Sequence, residues 1–183
     1  MIGVIRIRDY SIFSKRGDKK VVNAALKEGF ARAGRYFHDN LRDKRFTEEH
    51  ARKAGYAPRS GSKHAIGSKA FWLSYTGRKL KKKGHMRPLE FSGASRAAIK
   101  GYANISSTSK GGKVAYPGAK AFNFRNPFSV PTMNLNLEFR TILADEAELL
   151  ADVVDSSLET MVRAWHTGTA DVEIQELLAS AGF

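Results

Sequence analysis

ARKAGYAPRSGSKHAIGSKAFWLSYTGRKLKKKGHMRPLE, residues 51–90, is the stretch on which the fold turns. No acid lies between Glu49 and Glu90, yet eleven basic residues do: Arg52, Lys53, Arg59, Lys63, Lys69, Arg78, Lys79, Lys81, Lys82, Lys83 and Arg87. Such a run repels itself and needs water, counter-ions or an anionic partner to be held compactly. Gly55, Pro58, Gly61, Gly67, Gly77 and Gly84 punctuate it, and its one apolar island is Ala70–Tyr75 (AFWLSY). A segment of this length without core periodicity is typically functional or disordered. The chain therefore reads as one domain over residues 1–183, with residues 50–87 a projecting basic arm or extended loop that orders on contact.

The flanks of that stretch carry ordinary globular periodicity. Upstream, Val22, Ala25, Gly29, Ala33, Phe37 and Leu41 recur at three- and four-residue steps, which predicts an amphipathic helix over roughly residues 19–45. Before it, the Ile- and Val-rich residues 2–13 alternate like a half-buried strand. Downstream, Ser92 caps a short helix to Ile99. Two strands, Gly101–Ser106 and Lys113–Tyr116, meet at a turn around Lys110–Gly112. Further strands are expected at Ala121–Phe124 and where Leu135, Leu137 and Phe139 alternate with polar residues. Asp145 opens a long helix with Ala147, Leu150, Val154, Leu158, Met161 and Trp165 on one face, and Asp171 opens a last short one. The predicted class is α+β: a small, mainly antiparallel sheet packed by a long N-terminal helix and a C-terminal helix.

Charge is divided unevenly. The net charge is +17 over residues 1–100 and −4 over residues 101–183, which together give the +13 of the chain. Two partners suit that polarity: nucleic acid, or further copies that pair positive face on negative face. There is no cysteine, which excludes disulfides, thiolate metal sites and a cysteine nucleophile. No stretch is long and apolar enough to span a bilayer, and the start is too interrupted by charge for a signal peptide, so a soluble, cytoplasmically made protein is expected.

The search for chemistry returns little. His38, His50, His64, His85 and His166 show no metal-ligand spacing, and the reading for them is solvated or anion-contacting. Gly55–Lys63 (GYAPRSGSK) fails the phosphate-loop pattern because Ser precedes Lys and no apolar strand leads into it. Asp39, Asp43, Glu48 and Glu49 offer carboxylates for Mg²⁺, but Arg35, Arg42, Lys44 and Arg45 are interleaved with them, and helix-surface ion pairs explain them more simply. No catalytic residue, cofactor or metal site is assigned. Instead, Arg59, Lys63, Lys69, Phe71, Trp72, Tyr75, Arg78, Lys79, Lys81, Lys82, Lys83 and Arg87 are the candidate partner or DNA contacts of the arm. Its aromatics suit either unpaired bases or a protein pocket. With no base-reading module in the sequence, any DNA contact would be to phosphates and independent of sequence.

The run Pro88–Ile99 (PLEFSGASRAAI) resembles the signature Leu-x-x-Thr/Ser-Gly-x-x-Arg-x-x-Ile of bacteriophage tail-completion, or neck, proteins, which act in virion morphogenesis and head–tail joining. Leu89, Ser92, Gly93, Arg96 and Ile99 fill its places. Arg140 and Leu143 match a second step that precedes the family's last helix. The order of elements over residues 20–165 is also similar. The resemblance implies a structural, non-enzymatic protein located in the virion and assembled in the host cytoplasm. It implies an oligomeric ring, commonly a hexamer, that docks on the tail terminator or tail tube and on head-connector proteins and surrounds double-stranded DNA in the channel. Two alternatives stand beside it: a free, sequence-independent nucleic-acid-binding protein, and a Mg²⁺-dependent nuclease using Asp39, Asp43 or Glu49.

Overall fold

A computed structural model describes residues 16–90, 93–101, 103–116 and 134–167. The strands expected at residues 2–13 and 121–124 and the short helix after Asp171 lie outside the described residues. The class is α+β, as the periodicities predict. In order, the elements are α1 (Arg16–Tyr36), a π-helical turn (Phe37–Leu41), a 3-10 turn (Arg42–Phe46), α2 (Glu48–Lys53), α3 (Lys69–Leu73), α4 (Tyr75–Lys83), α5 (Ala94–Gly101), β1 (Asn104–Thr108), β2 (Gly111–Ala115), α6 (Leu135–Arg140) and α7 (Ala144–Thr167). Where one domain with an excursion was expected, the chain divides into two compact units, and residues 50–87 belong wholly to the second.

Among the described residues, the first unit comprises 16–41, 104–115 and 142–167. Val22, Ala33, Phe37 and Leu41 of the stripe read from the sequence are buried in its core, together with Leu26, Phe30 and, from α7, Leu150 and Val154. A Cβ on Gly29 would stand 3.1 Å from the Val154 carbonyl oxygen, so the absent side chain lets α1 and α7 approach closely. The helix predicted to run to residue 45 keeps α geometry only to Tyr36, then widens to a π turn and tightens to a 3-10 turn. The Asn40 amide donates to the Tyr36 carbonyl (3.2 Å) in this turn.

Strands β1 and β2 form an antiparallel hairpin in the register Ile105↔Val114, with Thr108↔Gly111 closing on a two-residue turn at Ser109–Lys110. The Lys110 N–H donates to Thr108 Oγ1 (3.2 Å), which steadies that turn. Helix α7 starts one residue before the predicted Asp145. The Glu146 carboxylate, 2% exposed, accepts from the Leu143 N–H (3.0 Å), a reciprocal cap that satisfies an amide at the helix mouth. Leu150, Val154 and Met161 are buried as expected from the stripe, whereas Ala147 is exposed.

Among the described residues, the second unit comprises 42–90, 93–101, 103, 116 and 134–141. Phe46, Ile99 and Phe139 form its core, with Leu89, Tyr116 and Leu135 packed around them. Phe46 and Tyr116 both meet Phe139 ring to ring, at 6.1 and 6.3 Å between centroids. The Arg42 guanidinium donates to the Ile99 and Lys100 carbonyls (3.4 Å each), which answers the open end of α5.

The expected strand at Leu135–Phe139 is instead helix α6. Asn134 caps it, its side chain accepting from the Leu137 N–H (3.0 Å). The apolar alternation misleads because Leu137 is 62% exposed; the packed pair is Leu135 and Phe139, four residues apart.

A candidate interaction surface on helices α3 and α4

The basic segment is not an extended loop. Ser68 caps α3 by accepting from the Phe71 N–H (3.1 Å), and Ser74 caps α4 by accepting from the Gly77 N–H (3.1 Å). The Ser74 hydroxyl also donates to the Phe71 carbonyl (2.6 Å), so one serine ends α3 and begins α4. At this corner a Cβ on Gly77 would fall 2.1 Å from the Phe71 carbonyl oxygen, so only glycine permits the two helices to meet. Gly84 then closes α4 in the left-handed region (φ 71°). Thr76 anchors the corner to the preceding turns, its N–H (3.1 Å) and hydroxyl (2.8 Å) both donating to the Ser60 carbonyl.

The side chains assigned to the arm separate into two groups. Phe71 is 1% exposed and packs edge-on against Trp72 at 5.1 Å, so it is core rather than contact residue. Lys79 is 3% exposed; its ammonium donates to the Arg87 carbonyl and lies 5.8 Å from the centre of the Tyr75 ring. Burial, then the nearby charge of Arg59, holds this ammonium down at about 8, against weaker support from Glu90 and Glu48. Burial also raises the Tyr75 phenol above its ordinary value, opposed by Arg59.

Arg59 is taken up internally as well. It grips the Glu138 carboxylate with both terminal nitrogens (3.0 and 2.5 Å), and the Ala57 N–H donates to the same carboxylate (2.9 Å). Arg87 faces Glu90 at 3.6 Å.

The second group faces outward. Lys63, Lys69, Arg78, Lys81, Lys82 and Lys83 are exposed, as are Trp72 and Tyr75. Among the described residues, Lys63, Lys69, Lys81 and Lys82 make no ion pair. Two residues that the charge pattern did not single out, Ile66 and Leu73, are each 69% exposed. Lys69, Trp72 and Leu73 are spaced three and four residues apart and share one face of α3. The surface is thus an aromatic and aliphatic patch beside unpaired lysines.

The signature residues are structural. Leu89 takes φ 55°, and Gly93 takes φ 81° while its carbonyl accepts from the Ala97 N–H (2.9 Å), so Gly93 rather than Ser92 stands at the cap of α5. Ser92 itself lies outside the described residues. A close approach was expected at Gly93, yet a Cβ there would meet only a Glu90 oxygen at 3.8 Å; its left-handed backbone is what requires glycine. Arg96 reaches Glu90 (3.5 Å) and Asp43 (3.6 Å), and Ile99 is fully buried. Glu90, 8% exposed, gathers His85, Arg87 and Arg96 around one carboxylate. Arg140 is exposed at the end of α6, and Leu143 is half-buried where its N–H caps α7.

Sequence reasoning missed Glu138 and Glu90 as the counter-charges of the basic segment. Glu90 carried a signal, being the acid that ends the acid-free run; Glu138, some eighty positions from Arg59, carried none. His50 also differs from the solvated reading: it is 3% exposed, with Nδ1 3.5 Å from the Arg45 guanidinium and its ring edge-on to Tyr56. Of the carboxylates considered for Mg²⁺, Asp43 already faces Arg42 (3.4 Å) and Arg96, and Glu49 faces Lys53 (3.0 Å). Lys53 lowers the Glu49 carboxyl below its ordinary value. Among the described residues no group of three or more His, Asp or Glu side chains stands together as a metal site, and no helix is long and apolar enough to cross a membrane.

The first unit presents a surface of opposite sign. Asp145, Glu148, Asp152, Asp155 and Glu159 are exposed on α7 at alternating three- and four-residue steps, so they form one stripe. Beside it lies an open groove of about 370 Å³, lined among others by Arg32, Tyr36, Leu149, Asp152 and Val153. Compared with family models, with curated proteins and with solved structures, the chain matches none.

Proposed function

We propose that the protein is a structural subunit of a bacteriophage neck, of the tail-completion kind, which joins tail to head by assembling and docking rather than by catalysis. The observation that carries the reading is the outer face of α3, where Trp72 and Leu73 are exposed beside the unpaired Lys69, with Ile66 exposed in the turn before it, on a corner built by Ser68, Ser74 and Gly77. An apolar patch with a charged rim marks a binding surface. The likeness of the run from Leu89 to Ile99 to the tail-completion signature supplies the setting: a ring at the proximal end of the tail, in contact with the tail terminator or tube and the head connector, around the DNA channel. In that setting the protein is a virion component.

The test is a phage unable to make the protein. Complete heads and complete tails should accumulate unjoined, and supplying the protein in an extract should join them. Normal joining without it, or its absence from purified particles, overturns the reading. Sequence-independent binding of nucleic acid is the second reading, favoured by the unpaired Lys63, Lys69, Lys81 and Lys82. Tight filter binding of duplex DNA by the purified protein, with an affinity that falls steeply with salt, would support it.

A further inference from the structure

The patch on α3 and the groove beside α7 share one design with opposite charge. On α3, Leu73 is 69% and Trp72 41% exposed on the face that carries the unpaired Lys69, and Ile66, in the turn before the helix, is also 69% exposed. On α7, Leu149 is 41% exposed in the groove, whose lining includes Asp152 and Arg32; Asp145, Glu148 and Asp155 are exposed on the same helix and, like Asp152, make no ion pair among the described residues. Aliphatic side chains at the centre of the α3 patch favour a protein occupant: Ile66 and Leu73 offer no ring on which a base can stack and lose nothing of water beside a phosphate. An apolar centre ringed by charge, meeting its complement of opposite sign, is the anatomy of a specific protein interface.

We infer that the α3–α4 face of one copy docks, head to tail, on the α7 groove and the acidic stripe beside it on a second copy. The inference rests on the assembly reading above and names the contact that reading needs. The pairing is heterologous. The docked pair keeps one unused face and one unused groove, so addition continues until a ring closes or a filament grows. Lys63, Lys69, Lys81 and Lys82 supply the basic rim, and the α7 carboxylates receive it. The contact therefore weakens with added salt.

The test uses the full chain, its exposed single variants, and sedimentation over a concentration series. Wild-type protein should pass from the 20.3 kDa monomer to larger species at low salt, with at least a tenfold weakening between 50 and 500 mM NaCl. Leu73→Asp blocks the face and Leu149→Lys blocks the groove, and each alone should stay monomeric with unchanged circular dichroism. Lys69→Glu and Asp152→Lys, further out on the two rims, should act in the same way should either first variant fold poorly. Mixing a face variant with a groove variant leaves one intact contact, so a heterodimer and nothing larger should form. Wild type that remains monomeric, blocked variants that assemble like wild type, or a mixture that gives no heterodimer each overturns the inference. So does loss of duplex DNA binding in Leu73→Asp with assembly intact, which would make the face a nucleic-acid surface. The two readings fail separately. A monomeric protein that still restores head–tail joining overturns this contact alone, and a protein that assembles through it but is absent from particles overturns the neck reading alone.

Discussion

Lys79 is charged and buried at neutral pH, and that should be visible as a pH dependence of stability. Its ammonium is held at about 8 against an ordinary 10.5, chiefly by burial. A lysine that folds with a lowered pKa binds fewer protons folded than unfolded between those two values. Stability therefore rises with pH across the window, and the cost of the buried charge is fully present below pH 8. The shift corresponds to about 3 kcal/mol at neutral pH, of which about 2 kcal/mol is recovered between pH 7 and pH 9.5. Stopping at pH 9.5 keeps clear of Tyr75, whose raised phenol destabilises the fold only above pH 10. The comparison is wild type against Lys79→Met, which keeps the stem and removes the proton site. Loss of the bond to the Arg87 carbonyl is common to every pH and cancels from the slope. A Trp165→Phe background leaves Trp72 as the sole tryptophan, a reporter in the second unit. Urea titrations followed by its fluorescence should show wild type gaining about 2 kcal/mol on the Met variant between the two pH values. A difference that stays flat within about 0.5 kcal/mol means that the ammonium is solvated, and the account of a packed α4 fails with it.

Three further perturbations probe the same unit. Arg59→Met leaves the Glu138 carboxylate, 8% exposed, with only the Ala57 N–H among the partners described above, and should destabilise the second unit by about 2–4 kcal/mol; Glu138→Gln in the same background should recover part of that loss, and additive losses in a double-mutant cycle would refute the pairing. Gly77→Ala forces a Cβ to within 2.1 Å of the Phe71 carbonyl, so the α3–α4 corner must open, at a cost of at least about 2 kcal/mol in urea titration; Gly55→Ala meets nothing within 4 Å and pays only for its positive φ, so an equal loss in both would refute the close approach. Asn134→Ala removes the cap of α6 and should cost about 1 kcal/mol, whereas Asn134→Asp should cost nothing; equal stability of the Ala form by thermal melting would show that the cap is idle.

What the sequence made legible is what long-range periodicity encodes. Helices α1 and α7 each carry an apolar stripe over more than twenty residues, long enough for the 3.6-residue period to stand out. The hairpin was legible from the glycines after Lys110, although the turn itself falls at Ser109–Lys110 and Gly111 and Gly112 begin β2. Helix α6 was not, since in six residues a spacing of two and a spacing of four are both satisfied by Leu135, Leu137 and Phe139. Helices α3 and α4 hid for a related reason. They are five and nine residues long, so their evidence lies in the serine caps rather than in a stripe. The contact of Arg59 with Glu138 joins residues with no local relation, and no spacing rule reaches that far.

The charge excess that dominates the sequence changes meaning once each cation is placed. Arg59 and Arg87 face glutamates of their own unit, Lys53 pairs with Glu49, and Lys79 is buried on a backbone carbonyl, so these cations serve the fold and are withdrawn from any partner. An arm that merely repelled itself into solvent would have no use for Phe71 in a core or for a serine shared between two helix ends. What remains outside is smaller than the run of eleven suggested: Arg52, Lys63, Lys69, Arg78, Lys81, Lys82 and Lys83 are exposed, and Lys69 shares the α3 face of Trp72 and Leu73. A flexible basic tail loses entropy on every contact it makes, whereas lysines on a folded corner meet a partner with most of that cost already met in folding. The physical case for assembly therefore moves from the whole acid-free stretch to this corner. It depends on the apolar side chains between the lysines, because charge alone would suit any polyanion and the exposed leucine and isoleucine do not.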